Sequence, residues 1–397
     1  MRYFILVFLV LTSLFAKDFK IATYNVQNLF DLNVDGGEYK EYIPNTKSQW
    51  NKKNFNKKLT NIAKVIKDLN ADIIALEEVE NLNVARELNR ALGDKQYPYI
   101  YTFFQKNKHI VGSVVFSRYK VANKYSVKVD GYPRGIHVMK YYLDGHKITM
   151  FVNHWPAFKH GYSARKAYAE KLKSLLNNKE EYVILGDLNT PLRITKDGWG
   201  KSLRDVLDSG NFDKPLYDLW YEVPPIMRYT HVYGRIKNAL DHIIVSKTLF
   251  DDKGIEYKTN SFGVFREKYL INKYGYPKRW LLKKKKIHVG KGYSDHLPIY
   301  AVLQTKPYDK KRVNAVTIGY LKNMFNDLMP VIINNIEAIR VDKYATIVGD
   351  GQSQIKIYLP DDKFVKGKKY DILVKKIGKY HREMEIKLCK IIREVGK

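Results

Sequence analysis

Apolar residues along this chain fall into short runs that each end in an acid, an amide or a histidine. Phe19-Lys20-Ile21-Ala22-Thr23-Tyr24-Asn25-Val26 alternates like a strand and carries Asn25 near its end, after which Gln27–Asp31 should leave the strand. From Phe55 to Leu69, the residues Leu59, Ile62, Ala63, Ile66 and Leu69 recur at helical spacing and predict an amphipathic helix. Ala71–Leu76 reads as a strand running into Glu77-Glu78-Val79-Glu80, and Val84–Leu92 as a second helix. Ile110–Phe116 is another apolar strand. Lys147–Asn153 predicts a strand that delivers His154-Trp155-Pro156, and Ser163–Leu176 a helix. Tyr182-Val183-Ile184-Leu185 is wholly apolar, as in a strand buried on both faces, and opens into Gly186-Asp187-Leu188-Asn189-Thr190-Pro191. Asp187 and Asn189 are two residues apart, so an extended backbone would aim both side chains the same way. After an irregular stretch over 192–229, Asp241 precedes the run His242–Ser246, and Asp295-His296 precedes Leu297–Tyr300.

Beyond about residue 310 the pattern changes to five short strands: Val331–Val341, Ala345–Val348, Ser353–Leu359, Tyr370–Val374 and Met384–Ile391. Gly349-Asp350-Gly351 is a hairpin signal. Such a small Lys-rich unit is expected to form an OB-like β-barrel, either a platform for nucleic acid or a purely structural domain. Residues 1–16 look like an export signal: Arg2 is followed by the apolar Tyr3–Phe15, too short for the ~20 residues of a membrane span. The expected organisation is thus a signal peptide at 1–16, a main domain at 17–309 and the barrel at 310–397, in a secreted or periplasmic protein without stable membrane insertion. Cys389 is the only cysteine, so no intramolecular disulfide can form.

Seventy Lys and Arg against 41 Asp and Glu give a formal charge of +29, which calls for a polyanionic partner, nucleic acid or an anionic surface. The basic run Lys283–Lys286 beside Trp280 is either a phosphate-tracking loop or a solvated face. Acids, amides and two histidines at strand ends, with no cysteine among them, suit a hard cation such as Mg²⁺, Mn²⁺ or Ca²⁺ rather than structural zinc. That donor set fits phosphoester hydrolysis, with a polarised phosphoryl oxygen, a histidine that takes a proton from water, and donors around the pentavalent charge. A nucleotide-binding P-loop and a Ser-centred acyl-transfer elbow are both missing from the sequence.

In order, Tyr-Asn-Val-Gln-Asn, Ile-Ala-Leu-Glu-Glu-Val-Glu, Asn-His-Trp-Pro, Leu-Gly-Asp-Leu-Asn, Ala-Leu-Asp-His and Ser-Asp-His resemble the endonuclease/exonuclease/phosphatase superfamily across about residues 19–304. That group includes pancreatic-type deoxyribonucleases and apurinic-site endonucleases. Asn25-Leu29-Phe30-Asp31, Asp197-Gly198-Trp199-Gly200 and Asn238–His242 are most similar to its secreted bacterial nucleases. The resemblance implies an α/β fold, a two-layered β-sandwich flanked by helices, with the site at one end of the sheets. It implies Glu78 as principal metal ligand with Asn25 and Asp295 nearby. It places His154 and Asn189 on the scissile phosphate and Asp187 on the attacking water. His296 would be general base or phosphate ligand, oriented by Asp241. Two positions depart from the pattern: Glu77 stands where a Gln is usual, and Ala157 where Ser is common. The expected activity is a Mg²⁺-dependent DNA endonuclease. The alternatives are a phosphatase or phospholipase on phosphoinositide or sphingomyelin, although no apolar membrane-docking hairpin is evident, and a non-catalytic nucleic-acid-binding protein.

Overall fold

The computed structural model describes residues 17–93, 96–104, 111–193, 200–211, 214–251, 253–258, 260–305, 316–322, 331–381 and 383–395. The export-signal segment, Ile110, Asp197–Trp199 and the expected domain boundary at 309/310 lie outside them.

The chain opens with β1 (Asp18–Leu29), α1 (Lys52–Leu69), β2 (Ile73–Val79), α2 (Leu82–Leu92), β3 (Tyr99–Phe103) and β4 (Gly112–Ser117). β5 (Val121–Val127), β6 (Ile136–Leu143), β7 (His146–His154), α3 (Gly161–Leu175) and β8 (Tyr182–Asp187) follow. Then come β9 (Ser209–Gly210), β10 (Leu216–Asp218), the hairpin β11 (His231–Tyr233) and β12 (Ile236–Asn238), and β13 (Asp241–Ser246). The main unit ends with β14 (Glu256–Tyr257), β15 (Gly263–Val264), the hairpin β16 (Leu282–Lys283) and β17 (Ile287–His288), and β18 (Ile299–Gln304).

Two seven-stranded sheets result, one ordered β14-β18-β1-β2-β4-β3 with β15 also on β18, the other β5-β6-β7-β8-β13-β10-β9. Their inner faces share one core: Ile21, Ile73 and Ala301 of the first sheet cluster with Met150, Val183 and Ile243 of the second. Burying both inner faces in this way removes the apolar side chains of alternate strand positions from water. α1 and α2 cover the outer face of the first sheet through Ile62, Ile66 and Leu88. α3 covers the second through Tyr168 and Leu172. The expected sandwich flanked by helices is what forms.

Several local expectations shift. β1 does not stop at Val26 but continues to Leu29 through a bulge, with Gln27 and Asn28 both at positive φ. α1 begins at Lys52 rather than Phe55, because the Asn51 side chain caps the Asn54 N–H and carries a polar first turn. β3, β5 and β6 have no counterpart in the polarity pattern. β5 is an edge strand with its middle in solvent, so no apolar alternation marks it.

After α4 (Ile318–Leu321) come β19 (Val331–Val341), β20 (Ala345–Gly349), β21 (Gln354–Tyr358), β22 (Lys369–Tyr380) and β23 (Glu383–Val395), the five strands expected. They close into a ring, β19-β20-β21-β23-β22 and back to β19, with β21 and β23 parallel. Ile333, Ile336, Val348, Ile357, Ile372 and Ile386 fill its interior. Tyr221 packs against both this core and that of the sandwich.

Candidate active site

Parallel pairing of β1 with β2 and of β7 with β8 brings four strand ends to one rim of the sandwich. β13 and β18 run antiparallel to these neighbours, so their beginnings reach the same rim. Register then fixes the company: His154 lies opposite Asp187 on one side, and Asp241 opposite Asp187 on the other. Asp295 and His296 lie shortly before β18, and the adjoining Ser294 hydroxyl reaches the Asn25 carbonyl of β1. All eight residues expected from the sequence therefore converge on one end of the sheets.

Asp187 is the hub. Its Oδ2 accepts from the Asn25 amide at 3.0 Å and lies 3.9 Å from His154 Nε2 and 4.0 Å from His296 Nε2. Its Oδ1 accepts the Asn189 backbone N–H at 2.9 Å. This corrects the expected alternation: Asn189 is at φ +46 in a turn, so a side-chain-to-backbone bond, not an extended strand, joins it to Asp187. The Asn189 amide itself donates to the Trp155 carbonyl at 3.1 Å.

His296 is held from behind, its Nδ1 2.7 Å from Asp241 Oδ2, which also accepts from the Thr230 hydroxyl. Burial alone would lower its pKa, but the charges of Asp241 and Asp187 raise it well above the ordinary value, so the ring carries its proton. His154 is the opposite case. Burial, then the charges of Arg134 and His296, push it well below the usual range, and its Nδ1 has no hydrogen-bond partner among the described residues. Burial, reinforced by Asp241, raises Asp187 to about 7. One carboxylate is thus flanked by a neutral and a cationic imidazole.

The second cluster is acidic. Asn25 links it to the first, donating to Glu78 Oε1 at 3.1 Å as well as to Asp187. Glu78 Oε2 accepts the Asn28 N–H at 2.9 Å, a contact that requires the bulge in β1. Burial and then the Asp295 charge raise the Glu78 pKa, so two carboxylates repel each other here. Arg279 approaches Asp295 only to 3.8 Å. A divalent cation relieves such repulsion, and the oxygen-only donors of Glu78, Asp295 and Asn25 fit a hard one. Asp187, Asp241 and His296 present ligand atoms within 4.8 Å of one another, and the Asp241–His296 hydrogen bond already engages two of these groups with each other.

The two acids at 77 and 78 separate cleanly. Glu77 is fully buried against the Thr23 hydroxyl at 2.7 Å, and burial raises its pKa well above the ordinary value. Protonated Glu is nearly isosteric with Gln, so the departure at this position leaves the site's charge unaltered. His242 also stays out of the cleft: it lies 2.8 Å from Asp218 and 2.8 Å from the Thr190 carbonyl, anchoring the loop that carries Asn189.

Other residues support the site from behind. Thr230 supports Asp241, the Ser294 hydroxyl donates to the Asn25 carbonyl at 2.6 Å, and Arg134 donates to the His154 carbonyl at 3.3 Å. His231 stacks on His296 with centroids 4.9 Å apart. They sit in turns and short strands whose sequence has no apolar run to announce them. Lys283–Lys286 is exposed, and Lys286 pairs with Glu41 at 2.6 Å.

No helix among the described residues is long and apolar enough to cross a membrane. No curated protein matches the chain. Among solved structures, a humanized D. rerio TDP2 is 12% identical, covering 72% of this chain and 98% of that one with a TM-score of 0.48. A protein from Leptotrichia buccalis is 16% identical over 71% and 98% of the two chains, with a TM-score of 0.45. One from Beutenbergia cavernae is 14% identical over 91% and 82%, with a TM-score of 0.49. The model of the Endonuclease/Exonuclease/phosphatase family matches residues 20–305, most of the chain and every residue of the site, and the protein belongs to that family of metal-dependent phosphoester hydrolases.

Proposed function

We propose that this protein is an exported, Mg²⁺-dependent nuclease that hydrolyses the phosphodiester backbone of DNA at internal positions. The observation that carries the reading is Asp187 Oδ2 set 3.9 and 4.0 Å from the Nε2 atoms of His154 and His296. A tetrahedral phosphate fits against the two imidazoles, with Asp187 behind the attacking water. Asp187, raised to about 7, is poised to take that water's proton. Cationic His296, kept in its tautomer by Asp241, faces the charge that grows on the pentavalent phosphorus. His154 is neutral and contributes an N–H or a lone pair without adding charge. Glu78, Asn25 and Asp295 would hold the cation, which when bound supplies Lewis-acid polarisation of a phosphoryl oxygen.

DNA as the substrate rests on the +29 charge, and export on the apolar segment after Arg2. The ring of strands is read as an OB-like domain over 310–397 that adds affinity for nucleic acid. One observation favours a second substrate, a phospholipid headgroup. The hairpin β11–β12 starts at His231 beside His296 and exposes Tyr233 at 76% and Ile236 at 65%, next to Arg235 and Lys237. The test therefore carries a phospholipid arm.

Mature protein is incubated with supercoiled plasmid, RNA and sphingomyelin or phosphoinositide vesicles. Nicking of plasmid in Mg²⁺, lost in excess chelator, is the expected result. His154→Ala, Asp187→Ala and His296→Ala should each slow it by roughly a hundredfold or more. Cleavage that persists in chelator, or three variants at wild-type rate, would sink the mechanism; headgroup release with intact plasmid would reassign the substrate.

A further inference from the structure

The outer face of the C-terminal ring carries a cluster that the catalytic site does not use. Glu385, 2% exposed, binds two lysines at once: Lys356 Nζ at 2.6 Å on one carboxylate oxygen and Lys387 on the other. Register explains the meeting, since Lys356 of β21 lies opposite Glu385 of β23. The Lys387 stem lies flat across β22 at Gly378, where an added Cβ would meet it at 3.1 Å. Both ammonium groups are thereby fixed between two tyrosines. Lys356 Nζ is 5.6 Å from the Tyr358 ring and 4.8 Å from Tyr380; Lys387 Nζ is 5.0 and 5.9 Å from the same rings. The rings are 43% and 57% exposed. Just before β20 a third, Tyr344, is 58% exposed with Lys343 Nζ 5.2 Å from its ring, and its carbonyl accepts the Leu359 N–H next to Tyr358. Beside this row a cavity of about 740 Å³ is lined by Lys322, Lys379, Tyr380 and His381, with the acids Glu383 and Glu385.

Resting on the nucleic-acid reading above, we infer that Tyr344, Tyr358 and Tyr380 form a stacking platform for single-stranded nucleic acid, with Lys356 and Lys387 as its phosphate contacts. Half-exposed rings on β21 and β22, with β23 and its Lys387 between them, suit unpaired bases, whose faces are free; in a duplex those faces are already stacked. An ammonium has three donors, so one bond to Glu385 leaves Lys356 and Lys387 donors for phosphate oxygens. Two cations against one carboxylate leave the cluster net positive. Residues 310–397 hold nineteen Lys and Arg against ten Asp and Glu, in keeping with a polyanionic occupant. The buried carboxylate holds both lysines in place before any strand arrives, which lowers the ordering cost of binding.

The test uses the full chain in excess chelator, so that binding is read without cleavage. Fluorescence anisotropy compares an oligothymidylate of about 15 nucleotides with an abasic strand of equal length, a duplex and anionic phospholipid vesicles. The wild type should bind oligothymidylate well above the abasic strand. Tyr358→Ala with Tyr380→Ala should weaken oligothymidylate binding by roughly five- to a hundredfold per ring lost and leave the abasic strand unaffected. Tyr358→Phe with Tyr380→Phe should retain binding, and Tyr125→Ala on exposed β5 should change nothing. Equal wild-type affinity for the base-bearing and abasic strands overturns the platform, as does a loss confined to vesicles. Hydrolysis of bis(p-nitrophenyl) phosphate in Mg²⁺ is measured in parallel. Its absence would count against the catalytic reading alone, because that small diester needs no platform.

Discussion

At the scale of single residues, burial decides which form of each titratable group is present. His137 lies inside the second sheet, its ring stacked on Phe103 with centroids 4.2 Å apart and its Nδ1 2.8 Å from the Ser126 hydroxyl. Burial, helped by the Lys124 charge, pushes it from 6.5 down to about 3. Between those values the unfolded chain binds a proton here that the folded chain does not. Its contribution to stability is therefore complete above about pH 6.5 and falls with pH through that window, by about 1.4 kcal/mol per unit. His137→Gln should flatten the acid side of the stability curve by that slope, measured by urea unfolding between pH 4 and 7. An unchanged slope would mean that His137 is protonated in the folded protein. The same logic makes His154 and His296 unlike: both are buried, but only His296 has a carboxylate on its Nδ1.

At the scale of elements, the site depends on how closely strands approach and where they bulge. Gly186 faces Asn153 across β7 and β8 at φ +130, and an added Cβ would sit 1.9 Å from the Asn153 carbonyl oxygen. Gly186→Ala must push the two strands apart just where they deliver His154 and Asp187. The expected cost is about 3 kcal/mol or more, with cleavage lost. Gly36→Ala, at φ +87 with open space around it, should cost only about 1 kcal/mol. Comparable urea midpoints for the two variants would refute the packing argument. The bulge in β1 has its own support: Lys58 of α1 is fully buried, burial lowers its pKa to about 7, and its Nζ donates to the Gln27 carbonyl at 2.6 Å. That bond holds the segment whose Asn28 N–H reaches Glu78.

At the scale of the whole molecule, two sheets from distant parts of the chain meet along the rim, and the acidic cluster strains that meeting. Mg²⁺ should therefore raise the melting temperature by mass action, with about 2.7 kcal/mol of stabilisation at a hundred times its Kd. Glu78→Gln should abolish the Mg²⁺ shift and leave the metal-free melting temperature no lower, because a buried charge facing Asp295 is gone. A full Mg²⁺ shift in that variant would move the cation elsewhere. Much of this arrangement was legible beforehand. Apolar runs located β1, β2, β7, β8, β13 and β18, because strands buried between layers must be apolar and the site residues sit at their ends. The five strands of the tail were legible for the same reason. β5 and β6 were not, since an edge strand in solvent and a strand with polar interruptions leave no period to read. Nor could spacing separate Glu77 from Glu78: a bulge with φ +65 at Glu78 turns one acid into the core and the other into the cleft. Thr230, Arg134 and the tyrosine row of the ring lie far apart in sequence or in turns. Only tertiary packing brings them to their partners, because hydrogen bonds and ring contacts depend on distances that no local pattern records.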